Sequence, residues 1–273
     1  MPGVLGCLGD QVQQHAPGRA DHAADARRRP GQQGGQARVK IANGEIALPG
    51  IFEDPRLLLD ELSADAQWKI AGPKIDLQLR NMVFANADAQ GSAQASWRTS
   101  EAAPVASGGA TSAKRDARFP GVLDLQGTLS RSDGGRVHRY LPMILPDRVR
   151  HYVRDAVTQG ALSDVKFKLK GNLLDFPFSD ANKGEFRVSA KVSKAGFTYV
   201  PKLVQLPETK AWPGLVDVDG ELVFDRTSLR VNGASGRMAG FPGLQLTKAD
   251  ARIPDLMHDA TVQVNADLTG LLT

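Results

Sequence analysis

The side chains that could do chemistry are few and badly spaced for it. Five histidines occur, at His15, His22, His138, His151 and His258, and no two stand at the short spacing that lets a helix or hairpin hold a metal. Asp217, Asp219 and Glu221 resemble a calcium loop, but they alternate with Val216, Val218 and Leu222. That period places them on the wet face of a strand instead of around an ion. Gly233-Ala234-Ser235-Gly236-Arg237-Met238-Ala239-Gly240 is glycine-rich but opens no helix, so it reads as a turn and not as a dinucleotide cradle. Ser107 to Lys114 lacks the Gly-Lys pair of a phosphate loop. No spacing isolates a carboxylate pair of the kind glycoside hydrolysis uses. The single cysteine, Cys7, excludes an internal disulfide and a multi-cysteine metal site. We therefore expect no catalysis, no metal and no cofactor.

The elements that position these residues are strands. Ile75, Leu77 and Leu79 alternate with charged and amide residues, as do Val165, Phe167 and Leu169, and Phe186, Val188, Ala190 and Val192. Val262, Val264, Ala266 and Leu268 repeat the pattern near the end of the chain. Alternation of period two puts one face of each strand against oil and the other in water. Turn signals punctuate the strands at Asn43-Gly44, Asp133-Gly134-Gly135, Asn182-Lys183-Gly184, Asp219-Gly220, Asn232-Gly233 and Phe241-Pro242-Gly243. Such short links favour antiparallel meanders. One helix is expected, over about residues 147–159. Asp147 would cap it, Val149, Val153, Ala156 and Val157 would pack on the end of the sheet, and Gly160 would stop it. Arg148, Arg150, His151 and Arg154 would face water or an anionic surface. Pro55 to Leu62 has the apolar density of a further helical turn.

The chain has 273 residues, 41% hydrophobic and 6% aromatic, enough for a sizeable core but poor in bulky plugs. Of 34 basic and 30 acidic residues the first 40 positions take 6 and 3, leaving 28 and 27. The remainder is nearly neutral, which sets nucleic acid aside as a ligand. Four regions are expected. Residues 1–38 form a disordered leader or a misassigned start, 39–100 a sheet segment, 101–118 a flexible loop, and 119–273 a second sheet segment with the helix inserted. No apolar run approaches the roughly 20 residues of a membrane span.

One helix cannot cover the oily face of so many strands, so a second sheet, curling of the same sheet, or a hydrophobic ligand must do so. Medium-sized Val, Leu and Ala at the inward positions favour an elongated, curled antiparallel groove. The candidate lining is Val165, Phe167, Leu169, Phe186, Val188, Val192, Leu222, Phe224, Leu229 and Val231. The lysine ladder Lys166, Lys168, Lys170 belongs to the opposite, solvated face. A fully packed structural or adhesive β-domain with protein partners is the alternative.

Four sequence elements in a fixed order carry a resemblance. They are Tyr140-Leu141-Pro142, Asp175-Phe176-Pro177-Phe178 after the lysine ladder, Gly184-Glu185-Phe186, and Trp212-Pro213. Their succession, within about residues 120–240, resembles the YhdP family of AsmA-like proteins. The resemblance implies a mainly β groove from a long periplasmic protein, anchored in the inner membrane through parts absent from this chain. Its partners would be phospholipid acyl chains in passage to the outer membrane and the remaining segments of the same protein. The missing anchor and the short length mark the chain as a fragment. Phe176, Phe178 and Trp212 are expected to anchor the fold.

Overall fold

The computed structural model describes residues 32–100, 119–202, 205, 212–258 and 261–270. Cys7, His15, His22, most of the expected leader and the 101–118 loop lie outside the described residues. Eleven strands make one antiparallel sheet in strict chain order. They are β1 (Gln32–Ala47), β2 (Arg56–Ala71), β3 (Lys74–Ala85), β4 (Ala89–Arg98), β5 (Val122–Asp133), β6 (Val157–Asn172), β7 (Gly184–Phe197), β8 (Leu215–Asp225), β9 (Ser228–Met238), β10 (Phe241–Ile253) and β11 (Gln263–Thr269). The sheet is not closed into a barrel, and no second sheet exists among the described residues. One helix, α1 (Asp147–Ala156), and a 3-10 turn over Gly134–Tyr140 connect β5 to β6.

Strand pairing overrides local signals in several places. Pro55 to Leu62, expected as a helical turn, instead leads into β2 from Arg56 onward, because Leu57, Leu59 and Leu62 pair with Ile46, Gly44 and Ile41 of β1. The sheet begins at Gln32 and not at Val39. Gly35 there leaves room for the Trp68 ring, where a Cβ would come within 2.6 Å of Cζ2. Asn43-Gly44, Asp219-Gly220 and Asn232-Gly233 are not turns but lie inside β1, β8 and β9. The glycine-rich run 233–240 likewise continues β9 to Met238, and only Ala239 and Gly240 turn the chain; Phe241-Pro242-Gly243 already belongs to β10.

The reason is backbone sign. Asn81 of β3, Asp164 of β6, Lys194 of β7, Asp217 of β8 and Gly233 of β9 all have positive φ. Each stands at a register shift, where one strand carries one more residue than its partner. Asn, Asp and Gly tolerate that conformation in a bulge as readily as in a turn. A bulge bends its strand and increases the local twist, which curls a sheet of this width.

The helix also differs from expectation. It ends at Ala156, and Gly160 belongs to β6, where its positive φ lets the chain pass Ala195. Pro146 is the N-cap residue, while Asp147 opens the first turn and accepts from Arg150 at 2.8 Å. Arg150, expected in water, is buried: its guanidinium also donates to the Leu145 carbonyl at 2.6 Å and lies 3.5 Å from Glu53. Val153 and the fully buried Ala156 face inward, but Val149 and Tyr152 stay exposed.

Hydrophobic burial is thin. Phe178 is the only large side chain fully buried among the described residues. It fills the space over Gly171, where a Cβ would come within 2.5 Å of its ring, and meets Phe176 edge-on at 5.9 Å. Phe176 in turn meets Phe186 at 5.1 Å, so the Phe-Pro-Phe element anchors the β6–β7 connection. Trp212 is 56% exposed and touches Tyr199 edge-on, a weaker anchor than expected.

Candidate functional site

In an antiparallel ladder, directly paired residues share a face. Met82, Ala93, Gly127, Phe167, Val188, Phe224, Leu229 and Ile253 are paired in turn from β3 to β10. At about 4.8 Å per strand, seven spacings make an apolar row roughly 34 Å long. A second row on the same face runs Ile41, Leu62, Phe84, Gly91, Leu129 and Val165. Beyond β6 the same row resumes as Ala190, Leu222, Val231, Ala251 and Val264. Neither row holds a charged or polar side chain. Beside them Leu169 pairs with Phe186, and Leu162 with Val192.

All ten candidate lining residues therefore stand on one face, in adjacent rows. The bulges keep it so: Val165 and Leu162 share the face although three positions apart, because Asp164 is the extra residue between them. Leu79 and Met82 do the same across Asn81. The sequence reading missed Leu162, Leu215 and Met238 for this reason, since strict alternation loses phase at a bulge.

Nothing in the described structure covers these rows. Only Val165 of the ten is buried, at 5% exposure, and the other nine are half-buried in the middle of the sheet. Glycines keep the face low. A Cβ on Gly127 would lie 2.5 Å from Phe167 Cζ, so the ring occupies the space over the glycine. An enclosed cavity is not what this face offers. A hollow of about 300 Å³ is lined by Gln78, Leu79, Arg80, Gln94, Ala95, Ser96, Asp124 and Gln126, mostly polar groups of the opposite face, and one of about 370 Å³ beside it includes Leu77, Trp97, Val122 and Leu123 in its wall.

That opposite face is laced with ion pairs. Lys168 Nζ is 2.6 Å from Glu185, Lys170 3.4 Å from Asp124, Lys191 2.7 Å from Asp164 and Arg187 3.0 Å from Asp225. The lysine ladder is a solvated surface in which Lys168 and Lys170 are paired. The hydrogen bond to Glu185 holds the Lys168 ammonium above the ordinary lysine range, and Lys191 holds the Asp164 carboxyl below the ordinary carboxylate range. Several of these charges also staple the bulges. Asn81 donates to Asp65 at 2.9 Å, the Lys194 amide to Asp219 at 3.1 Å and the Gly233 amide to Asp250 at 2.8 Å, while Arg237 pairs with Asp217.

The connections at one end of the sheet form a polar clasp. Tyr140 donates to Asp88 at 2.9 Å and accepts from Asn86 at 3.0 Å, and Arg139 bridges Asp88 at 2.8 Å and Asp54 at 3.3 Å. Burial raises the Tyr140 pKa. His138 bonds only its own turn, to the Gly135 carbonyl, and His151 sits 3.4 Å from Glu53. His258 pairs with Asp255 in the β10–β11 connection. No group of His, Cys, Asp and Glu among the described residues is placed to hold a metal. These polar groups lock loops together, and none faces the apolar rows with a base or nucleophile beside it.

A single-layer antiparallel sheet with one continuous, uncovered apolar face defines an open β-groove, built to present oil-compatible surface along its length. The model of the family described as YhdP protein matches residues 11–273, and the chain belongs to that family. It is an AsmA-like family of the bacterial envelope with a role in lipid transport. No curated protein and no solved structure matches the chain. No helix among the described residues is long and apolar enough to cross a membrane.

Proposed function

We propose that this chain is a segment of an envelope-spanning AsmA-like protein, and that its apolar face shields phospholipid acyl chains during transport between the inner and outer membranes. It works in the periplasm as a non-catalytic conduit of an inner-membrane-anchored protein. The observation that supports this reading is the pair of apolar rows crossing at least eight strands, half-buried and uncovered. Apolar surface of this extent marks a binding site, and rows that run unbroken from strand to strand suit an extended acyl chain.

The energetics fit the task. At about 0.8 kcal/mol per methylene, one acyl chain of roughly 16 carbons costs on the order of 12 kcal/mol to expose to water. Rows of Leu, Val and Phe remove most of that cost, while the headgroup stays in water at the open edge. No proton transfer or bond cleavage is needed.

The test is a photo-crosslinking amino acid placed at Phe167, Val188 or Phe224, compared with one at Lys168 or Glu221 on the opposite face. Phospholipid adducts from envelope preparations are expected at the first three positions and not at the last two. Adducts at neither set, or equally at both, would refute the groove.

A further inference from the structure

We propose that the β5–β6 connection, residues 134–156, is a strap that fixes how tightly the sheet curls across β1 to β6, with Asp88, Arg139 and Tyr140 as its positioning residues. Neighbouring antiparallel strands need only two residues to connect, and Ala239-Gly240 suffice between β9 and β10 on the same rim. Between β5 and β6 the chain takes 23, from Gly134 to Ala156. The 3-10 turn carries Tyr140 to the β3–β4 connection, two strand spacings away, where its hydroxyl meets Asp88 and Asn86. Pro142 and Met143 go on to the β1–β2 connection, four spacings or about 19 Å from β5–β6 on a flat sheet. There Phe52 and Pro142 form an antiparallel bridge, the Met143 amide donates to the Ile51 carbonyl at 2.8 Å, and the Phe52 ring meets Tyr140 edge-on at 6.4 Å. The ten residues of α1, about 15 Å of helix, bring the chain back to β6 with Arg150 and His151 beside Glu53. At the end of α1 the Ala156 carbonyl accepts from the Thr198 amide of the β7–β8 connection at 2.8 Å.

Ties of this length are what a one-layer sheet otherwise lacks. Each strand of a ladder is held by its two neighbours, so small changes of twist at successive strands add up along it. Tying the β1–β2, β3–β4 and β5–β6 connections together removes that freedom at this rim. The centre of the tie is buried, Asp88 at 8% and Asn86 at 9% exposure, where water competes little for its bonds. Asp88 accepts from Arg139 and Tyr140 together, and Arg131 of β5 donates to the Asn86 and Ala87 carbonyls at 2.7 and 2.8 Å, so the rim shifts only by breaking several bonds at once. On the opposite rim β2–β3 and β8–β9 turn in two residues each. Tyr140-Leu141-Pro142, which has no place in the apolar rows, stands where the strap crosses from one connection to the next.

The fixing of curl stands on these contacts alone; its bearing on lipid rests on the reading of the apolar face as a groove. The test places spin labels, carried on a ketone-bearing amino acid, at Lys40 of β1 and Thr128 of β5, exposed members of one outer-face row. Wild type should give one narrow distance. Asp88→Ala and Tyr140→Phe should each broaden the distribution by about 5 Å, one strand spacing. In a Cys7→Ser background, Phe52→Cys with Pro142→Cys, a directly opposed pair, should close a disulfide that restores the narrow distance to Asp88→Ala and loses it on reduction. Phe178→Ala destabilises the sheet away from the strap and should leave the distance narrow, which separates loss of the strap from loss of stability. Clasp variants of wild-type width, a formed disulfide that restores nothing, or equal broadening in Phe178→Ala would overturn the proposal. Lipid adducts from a photo-crosslinker at Met82 should fall in the variants that broaden. Broadening as expected, with no adduct in any form of the protein, would refute the groove and leave the strap standing.

Discussion

The substitution Val188→Asp separates the two faces of the sheet most cleanly. Val188 is the middle of the row, paired with Phe167 on one side and Phe224 on the other, and it is half-buried. In the empty groove the carboxylate keeps its water, so the cost to folding is the lost half-burial of a valine, about 1 kcal/mol. A chain lying across the row must strip that water or lift away. Lifting away three or four methylenes at about 0.8 kcal/mol each costs about 3 kcal/mol, roughly a hundredfold in occupancy. Lys168→Ser, on the other face, removes a solvent-screened ion pair whose two side chains are 42% and 37% exposed, and should change folding little and ligand occupancy not at all. The assay is phospholipid recovered per mole of purified chain, with the thermal midpoint measured on the same preparation. A folded Val188→Asp protein holding lipid within threefold of wild type would refute the reasoning, as would an equal loss in Lys168→Ser.

Other perturbations test the scaffold. Phe178→Ala removes the one fully buried large side chain and should cost about 3–5 kcal/mol, read by chemical denaturation; a loss under 1 kcal/mol would show that the β6–β7 connection carries no load. Gly127→Ala drives a methyl into Phe167 Cζ and the Ser92 carbonyl, each 2.5 Å away, and should cost about 1–3 kcal/mol while tilting the ring into the groove, seen as reduced lipid recovery. Asp219→Ala leaves the Lys194 amide without its acceptor and should cost about 1–2 kcal/mol, with faster amide exchange at Lys194 as its signature. The Asp65 carboxyl is held below the ordinary value of 3.8, first by Asn81 and then by Arg38, and Asp164 is held low by Lys191. Their ionised forms are favoured by folding, so that stabilisation is present above the ordinary value and lost as pH falls through the depressed one. Thermal midpoints between pH 5 and 2 should therefore fall more steeply in wild type than in Asp65→Asn; parallel curves would contradict it.

The faces of the strands were legible in the sequence because alternation is a direct image of the pleat. Lys166, Lys168 and Lys170 against Val165, Phe167 and Leu169 could mean little else, and the paired ladders agree. The punctuation was less legible. Asp219-Gly220 and Asn232-Gly233 carry the residues of a hairpin turn, yet β8 and β9 run through them. Local chemistry favours a left-handed residue without saying where it falls or whether the chain reverses there: in β8 it is Asp217 and not Asp219 or Gly220, and in β9 it is Gly233. The neighbouring strand decides, with Asp219 and Asp250 accepting from the amides of Lys194 and Gly233. Arg150 shows the same limit. Its charge suggests water, but Leu145 and Asp147 at the start of the helix and Glu53 from the β1–β2 connection surround the guanidinium and bury it, although its Nε finds no hydrogen-bond partner among the described residues. Exposed Val149 and Tyr152 are the converse, apolar by type and left out of the packing.

A one-layer sheet raises the question of what keeps it folded while its oily face stands open. Each strand touches chiefly its two neighbours, as in a solenoid, so stability is close to a sum of nearest-neighbour terms. The ladder hydrogen bonds, the outer ion pairs and the acid-stapled bulges belong to those pairs and do not depend on filling the inner face. Glycines and alanines set opposite large residues, Gly127 with Phe167 and Gly35 with Trp68, let rings find partial cover inside the sheet itself. The inner rows are thereby relieved of the duty of a core. Substitutions there should act on ligand occupancy more than on folding, and their effects on stability should add when separated by two or more strands, as for Leu129→Ser with Val231→Ser. Double-mutant coupling above about 0.5 kcal/mol between such distant positions would mean that the face closes on itself, and that the groove is a core after all.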